Sequence, residues 1–245
     1  PRISLIVGDV LDLPSVEEKI DYIIHGASVT GSKDFIQKGV ETIDIAVNGT
    51  MNLLRFAMKN NVKSFLYLSS MEAFGVTDGR YEVRESNLGY IDITKPRASY
   101  MESKRMCENL CVCFASEYAV PAKIIRLTQT IGVGIDYHDT RVAAQFARAV
   151  IEKHDIVLKT KATTMRPILY TSDAVSAILT VLLKGNVANV YTAANPETYL
   201  SISETAEMIV SKLANSEIKV VFDIENIEFT VVFGYNVKVV YKHIG

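Results

Sequence analysis

Apolar residues along this chain follow two alternating rhythms. Short, nearly continuous runs occur at Ser4–Val7, Asp21–His25, Ser64–Leu68 and Ala122–Leu127, and most give way at once to glycine or serine. Runs of this length without polar alternation predict strands buried on both faces. Between them, Val40–Met58 repeats Ile43, Val47, Met51, Leu54 and Met58 at helical spacing, and Arg97–Tyr118 predicts a second long helix. Strands alternating with helices predict an α/β fold, a doubly wound parallel sheet covered on both faces.

The rhythm loosens after Gly134. Helices are expected over Thr140–Glu152, over Ser172–Leu183 capped by Ser172 or Asp173, and over Ser201–Leu213, where Ser201 and Glu204 form a capping box. Met165–Leu169 is expected to be extended, and Asn226–Gly245, rich in Val, Phe and Tyr, to form strands. The division predicted is one domain over 1–132 and a smaller portion over 133–245, with 166–195 packing back on the sheet.

A length of 245 residues at 49% hydrophobic supplies ample core. The net charge is −2 with both signs interspersed, which gives no electrostatic footprint for nucleic acid. No stretch is long and apolar enough for a membrane span and no signal pattern is present, so a cytoplasmic setting is expected. Cys107, Cys111 and Cys113 crowd one predicted helix and are read as reduced thiols rather than a metal site. Gly26, Gly31, Ser32 and Lys33 mimic a P-loop, but lysine and hydroxyl stand in reversed order. His25 is read as a packing residue, and Asp136, His138 and Asp139 as loop polar groups.

One feature of such folds is missing from the sequence. A dinucleotide fold opens with a strand, a glycine-rich turn and a helix whose N-terminus holds a pyrophosphate. No G-x-G-x-x-G occurs among the 245 residues. The expectation is that roughly 50 further residues, about one and a half strand–helix units, precede Pro1 in the fold.

The strongest chemical signal is Tyr100 followed four residues later by Lys104, which a helix brings to one face. A phenol titrates near 10, and a nearby ammonium is expected to lower that value and make Tyr100 an acid/base group. Upstream, a buried strand delivers Ser70 to its C-terminal end, where open α/β sheets bind ligands.

These residues and their neighbours resemble the extended short-chain dehydrogenase/reductase family, in its NAD-dependent epimerase/dehydratase branch. The resemblance runs through Gly8-Asp9-Val10, His25-Gly26-Ala27-Ser28, the Asn48–Leu54 helix, Ser69–Gly75, Tyr100 with Lys104, Arg126–Gly132 and Arg166–Asp173. It implies a Rossmann-like, NAD(P)-binding domain over 1–132 and a mainly substrate-binding portion beyond. It implies cofactor contacts from Asp9, Val10, Ala27, Ser28, Asn48, Leu68, Tyr100, Lys104 and Leu127. It implies catalysis by Ser70, Glu72, Tyr100 and Lys104, and substrate contacts from Ser70, Gln129 and Arg166, the last on a diphosphate. A nucleotide-diphosphate sugar is the implied substrate, NAD the preferred cofactor with NADP open, and a homodimer through the helices at 40–59 and 97–118 the implied assembly.

Departures shape the expected reaction. Dehydratases of this family carry an aspartate where Met71 stands, and methionine donates no proton. Phe74 replaces a usual tyrosine, and Gln129 a usual asparagine. Epimerisation through a keto sugar needs Ser70, Tyr100 and Lys104 alone and is the expected activity. Dehydration, decarboxylation and reduction are the alternatives within the family. A dinucleotide-binding regulator without turnover is the alternative of another class.

Overall fold

The computed structural model describes residues 3–77, 82–214, 217–224 and 238–239. Its centre is a four-stranded parallel sheet. The edge strand is β1 (Tyr22–His25), followed by helices α1 (Ser32–Gln37) and α2 (Gly39–Asn60). Next come β2 (Ser64–Ser70), the short β3 (Glu82–Val83), α3 (Ala98–Tyr118) and β4 (Ala122–Leu127). Then follow β5 (Gln129–Ile131), α4 (Val142–Glu152), β6 (Ile156–Leu158), β7 (Met165–Arg166), β8 (Ile168–Tyr170), α5 (Thr171–Lys184) and β9 (Val190–Ala193). Strands β10 (Leu200–Ser201), β11 (Val220–Phe222) and β12 (Lys238–Val239), with α6 (Ile202–Leu213) after β10, complete the described elements. The sheet order is β1-β2-β4-β9.

Strand period and layer identity agree. Phe65 and Tyr67 of β2 face one side and pack with Ala46, Leu54, Cys107, Cys111 and Phe114 of α2 and α3. Leu66 faces the other side and packs with Ile125, Val181 and Leu182 under α5. A separate apolar cluster, with Phe146, Ile156, Leu158, Ala206 and Ile218, holds α4 and α6 against the β6–β11 pair. The register brings Ser70 beside Leu127, and Leu127 beside Ala193, at the C-terminal edge of the sheet.

Several expectations need correction. Ser4–Val7 is not a strand: Ile3, Leu5 and Val7 are 90%, 89% and 87% exposed, and the segment pairs with no strand among the described residues. An apolar run becomes a strand only where a neighbour supplies its ladder bonds. Helix α5 begins at Thr171 with Tyr170 as N-cap and no side-chain cap, while Ser172 donates instead to Asp173. The deeply buried face of α2 is Thr42, Ala46, Gly49, Thr50, Leu54 and Ala57. Small residues let α3 approach closely, so Ile43 stays 47% exposed and Met51 and Met58 are partly buried. The capping box forms as expected, with Ser201 and Glu204 satisfying each other's backbone N–H. The strands expected over Asn226–Gly245 lie outside the described residues except for Lys238–Val239, which pairs in parallel with β3. Cys107 and Cys111 are buried free thiols. No helix among the described residues is long and apolar enough to cross a membrane.

Candidate active site

Ser70 ends β2 in extended conformation, and its Oγ accepts a hydrogen bond from the Glu72 backbone N–H at 3.2 Å. It thereby caps a single 3-10 turn over Met71–Phe74. That turn sorts its side chains. Met71 and Phe74 go inward, packing with Val83 and Ala194. Glu72 goes toward the site, with its side chain only 12% exposed. The turn closes at Gly75, whose φ of +67° suits glycine.

Helix α3 crosses beside this turn and supplies the rest. Lys104, 4% exposed, donates from Nζ to the Leu68 carbonyl at 3.0 Å. Burial lowers its pKa to about 8. Ser70 stands close enough to the Tyr100 hydroxyl to draw its pKa down, so phenol, alcohol and ammonium lie together at the end of β2. The Tyr100 hydroxyl is nevertheless held above the usual tyrosine range, chiefly by burial, with Glu72 pushing the same way and Ser70 and Arg97 pulling it down. The expected lowering by Lys104 is not found. Its ammonium lies 5.5 Å from the centre of the Tyr100 ring, 4.9 Å from that of Tyr67, and is tied to the Leu68 carbonyl.

Two guanidinium groups converge on the Glu72 carboxylate. Arg97 Nη2 donates to Oε1 and Oε2 at 3.1 and 3.0 Å, and Arg166 Nη1 lies 3.5 Å from Oε1. Glu72 is therefore not a solvated loop carboxylate. Arg97 was not singled out from sequence. The signal available was a cation directly before a helix N-terminus, where the dipole disfavours it by about 0.3–1 kcal/mol unless an anion answers it. Phe35 was also missed: it stacks on the Tyr100 ring at 4.2 Å and 13°.

Behind the site runs a buried ion pair. Arg126 donates from Nε and Nη2 to the Glu108 oxygens at 2.9 and 2.7 Å, and Ser69 Oγ donates to Glu108 at 2.6 Å. The Arg126 guanidinium covers the Phe74 ring at 4.5 Å, so phenylalanine here has a packing partner that needs no hydroxyl. His25, buried against Tyr67, hydrogen bonds through Nε2 with Thr50, and burial plus the Lys104 charge lower its pKa to about 4.

The remaining candidate residues are spread along one edge. The turn at Gly8-Asp9-Val10 is pinned to α2 by Asn52, whose Nδ2 donates to the Val10 and Leu11 carbonyls at 3.0 Å each. Gly49 permits this approach, since a Cβ there would stand 2.6 Å from Val10. Asp9 is exposed, and its carboxylate accepts from the Leu11 N–H. Ala27 is exposed after β1, and Ser28 donates to the Val29 carbonyl. Asn48 is turned to Asp44 along its own helix, at 2.6 Å. Gln129 and Arg166 line one cleft with Val142, Phe146 and Leu200. The donor set fits the nicotinamide end of a dinucleotide: a buried ammonium and a phenol at the C-terminal edge of a parallel sheet, with an exposed carboxylate on the turn at the far end. The glycine-rich pyrophosphate turn is not among the 245 residues.

A sequence model of the NAD dependent epimerase/dehydratase family matches residues 2–194. The chain belongs to that family. Among its relatives, UDP-glucuronic acid decarboxylase 1 of Danio rerio is 26% identical over 212 residues, covering 86% of this chain and 49% of that protein. This chain thus spans about half the length of that relative. UDP-N-acetyl-alpha-D-glucosaminuronate decarboxylase of Bacillus cytotoxicus is 28% identical over 227 residues, covering 90% of this chain and 68% of that protein. The solved structure of RMD from Pseudomonas aeruginosa, complexed with NADPH, matches with a TM-score of 0.75 and 25% identity over 90% of this chain and 75% of that one. Family membership and fold therefore stand on both sequence and shape.

Proposed function

We propose that the protein decarboxylates a nucleotide-linked uronic acid sugar, with 1–132 as the cofactor half and 133–245 as the main substrate portion. The observation that carries this reading is the charge at the sugar end of the site. Two guanidinium groups, those of Arg97 and Arg166, meet at the Glu72 carboxylate in the same site as Ser70 and Tyr100, with the Arg166 contact the longer at 3.5 Å. A sugar carboxylate suits the Arg166 side of this cluster, because arginine's planar fork matches a carboxylate. The likeness to two uronic acid decarboxylases supports the same reading. It shifts preference from the simple epimerisation expected from sequence, which requires no cation at this position. Dehydration is disfavoured because Met71, where an acid is needed, is buried in an apolar cluster.

NAD, when bound, would be held by Lys104 and Tyr100 and would supply a hydride acceptor, and later donor, for the sugar C4. Ser70 orients the C4 hydroxyl, and Tyr100 takes its proton as the carbonyl forms. The product is a β-keto acid, whose C5–carboxyl bond breaks with its electron pair passing to the C4 oxygen as an enolate, releasing carbon dioxide. Arg166, which the family resemblance puts on the diphosphate, is assigned here to the sugar carboxylate instead, because it reaches Glu72 beside Ser70, and it holds that carboxylate before it leaves. The Ser70 and Tyr100 hydroxyls stabilise the enolate oxygen. A water oriented by Glu72 supplies the proton at C5, drawn in net from solvent. Tyr100 then returns its proton as C4 is reduced, so the only net proton consumed is the one at C5. Lys104 holds the nicotinamide ribose, while Asp9, Val10, Ala27, Ser28, Leu68 and Leu127 line the cofactor's course. Asn48 is assigned no contact, being engaged with Asp44.

The test is incubation of the NAD-loaded full-length protein with UDP-glucuronate, UDP-glucose and UDP-galactose. Release of carbon dioxide with a UDP-pentose is expected, with Tyr100→Phe reducing turnover by about 100-fold or more. Interconversion of the two neutral sugars with UDP-glucuronate untouched would instead make the protein an epimerase.

A further inference from the structure

We propose that Arg97 is a positioning residue that fixes the Glu72 carboxylate in the site. The inference rests on Ser70, Glu72 and Tyr100 being the reacting centre, and not on which sugar is the substrate. One nitrogen of Arg97 reaches both carboxylate oxygens, at 3.1 and 3.0 Å, which removes the rotation that a single contact would allow. The Arg166 contact, to one oxygen at 3.5 Å, does not have that property.

Arg97 is itself held. It stands at the N-cap of α3, three residues before Tyr100, so helix geometry sets the spacing of guanidinium and phenol. Its guanidinium lies 5.7 Å from the Phe35 ring centre. Phe35 is 4% exposed and stacks on Tyr100 at 4.2 Å, and Ser99 Oγ donates to the Phe35 carbonyl at 3.0 Å. Carboxylate, guanidinium, phenyl and phenol thus form one packed chain. Its ends are the two groups that transfer protons.

The charged and titratable groups around the Tyr100 hydroxyl are Glu72, Arg97, Lys104 and Tyr67. Of these, Arg97 lowers the Tyr100 pKa and Glu72 raises it. Removal of Arg97 takes away one lowering influence while Glu72 remains, so the pH at which Tyr100 loses its proton moves up.

Four variants of the NAD-loaded full-length protein test the inference: Arg97→Lys, Arg97→Ala, Glu72→Gln and the Arg97→Ala/Glu72→Gln double. kcat and KM are measured across pH with UDP-glucuronate, and with UDP-glucose if the first is not turned over. Arg97→Ala is expected to lower kcat about 100-fold while KM stays within about threefold, because the loss is one of orientation. Arg97→Lys is expected to recover part of kcat. The double variant is expected to be no slower than Glu72→Gln, since Arg97 acts through Glu72. The alkaline shift of the Tyr100 limb completes the signature. A loss confined to KM, effects that multiply in the double variant, or an unmoved pH limb would each overturn the assignment. Where Arg97→Ala does not fold, as judged by circular dichroism, Arg97→Gln and Arg97→Lys carry the same comparison. Turnover of UDP-glucose in place of UDP-glucuronate removes the decarboxylase reading and leaves this test intact. Turnover of neither overturns both.

Discussion

Lys104 shows how a site residue is paid for in stability. Its ammonium is buried and its pKa falls from 10.5 to about 8, with burial as the leading cause. The folded-state value is the depressed one, so the stabilising contribution is complete above pH 10.5 and is lost as pH falls through 8. At pH 7 the charged lysine therefore costs the fold roughly 3 kcal/mol, at 1.36 kcal/mol per pKa unit. Methionine has similar length and no charge to desolvate, although it leaves the Leu68 carbonyl without this donor. Lys104→Met is expected to be more stable than the parent by about 1–2 kcal/mol at pH 7. Urea unfolding at a series of pH values checks this, and the advantage should shrink between pH 8 and 10.5 while activity is absent throughout. That Lys104 and Tyr100 lie near one another was legible from a four-residue spacing. The raised Tyr100 value was not, because burial and the approach of Arg97 and Glu72 depend on segments 25 residues apart in the chain.

At the scale of elements, α3 is the part that sets the site. Along one stretch it fastens the end of β2 twice, Lys104 to the Leu68 carbonyl and Glu108 to Ser69, and the segment beyond it through Arg105 to the Ala73, Phe74 and Gly89 carbonyls. Glu108 also closes the two-point pair with Arg126 of β4, so helix and both central strands share one buried charge network. Removing one partner of a buried pair leaves an uncompensated charge, so Glu108→Gln is expected to destabilise by about 3–5 kcal/mol. Glu108→Leu with Arg126→Met removes both charges and is expected to be milder. Thermal or urea unfolding of the three proteins decides, and equal losses for single and double would show that the pair is not a unit. The long elements were legible because each carries its own signal, helical spacing in α2 and continuous apolar runs in β2 and β4. Strands of two or three residues such as β5 and β10 carry none, since their existence depends on the partner strand. The same dependence explains why Ser4–Val7 reads as a strand in sequence and is not one here.

For the whole molecule, α2 and α3 raise the question of assembly. Their touching faces are closed by small residues, Ala46, Thr50 and Ala57 against Cys107 and Cys111. Several larger apolar side chains lie toward the outer surface, while Leu54 and Phe114 reach into the core. Met51, Met58, Leu110, Phe114 and Tyr118 line a groove between the helices, and Ile43 and Met106 are 47% and 51% exposed nearby. A helix pair that seals itself with small residues and sets larger ones on its outer surface suits packing against a second pair, the homodimer through 40–59 and 97–118 that the family resemblance implies. We expect the full-length protein to sediment as a dimer, with an interface in the usual range of about 1,200–2,000 Å² in total. Met51 and Met58 lie on the groove rather than in the core of the sheet, so glutamate at both should produce a folded monomer. Sedimentation velocity with circular dichroism checks this. A parent that sediments as a monomer, or a double variant that remains dimeric, removes these helices from the interface. Because Tyr100 and Lys104 lie on α3, on the side turned to β2, the monomeric variant tests a further point. If dimer contacts hold α3 against β2, turnover should fall with dimer dissociation while Arg97 and Glu72 are untouched.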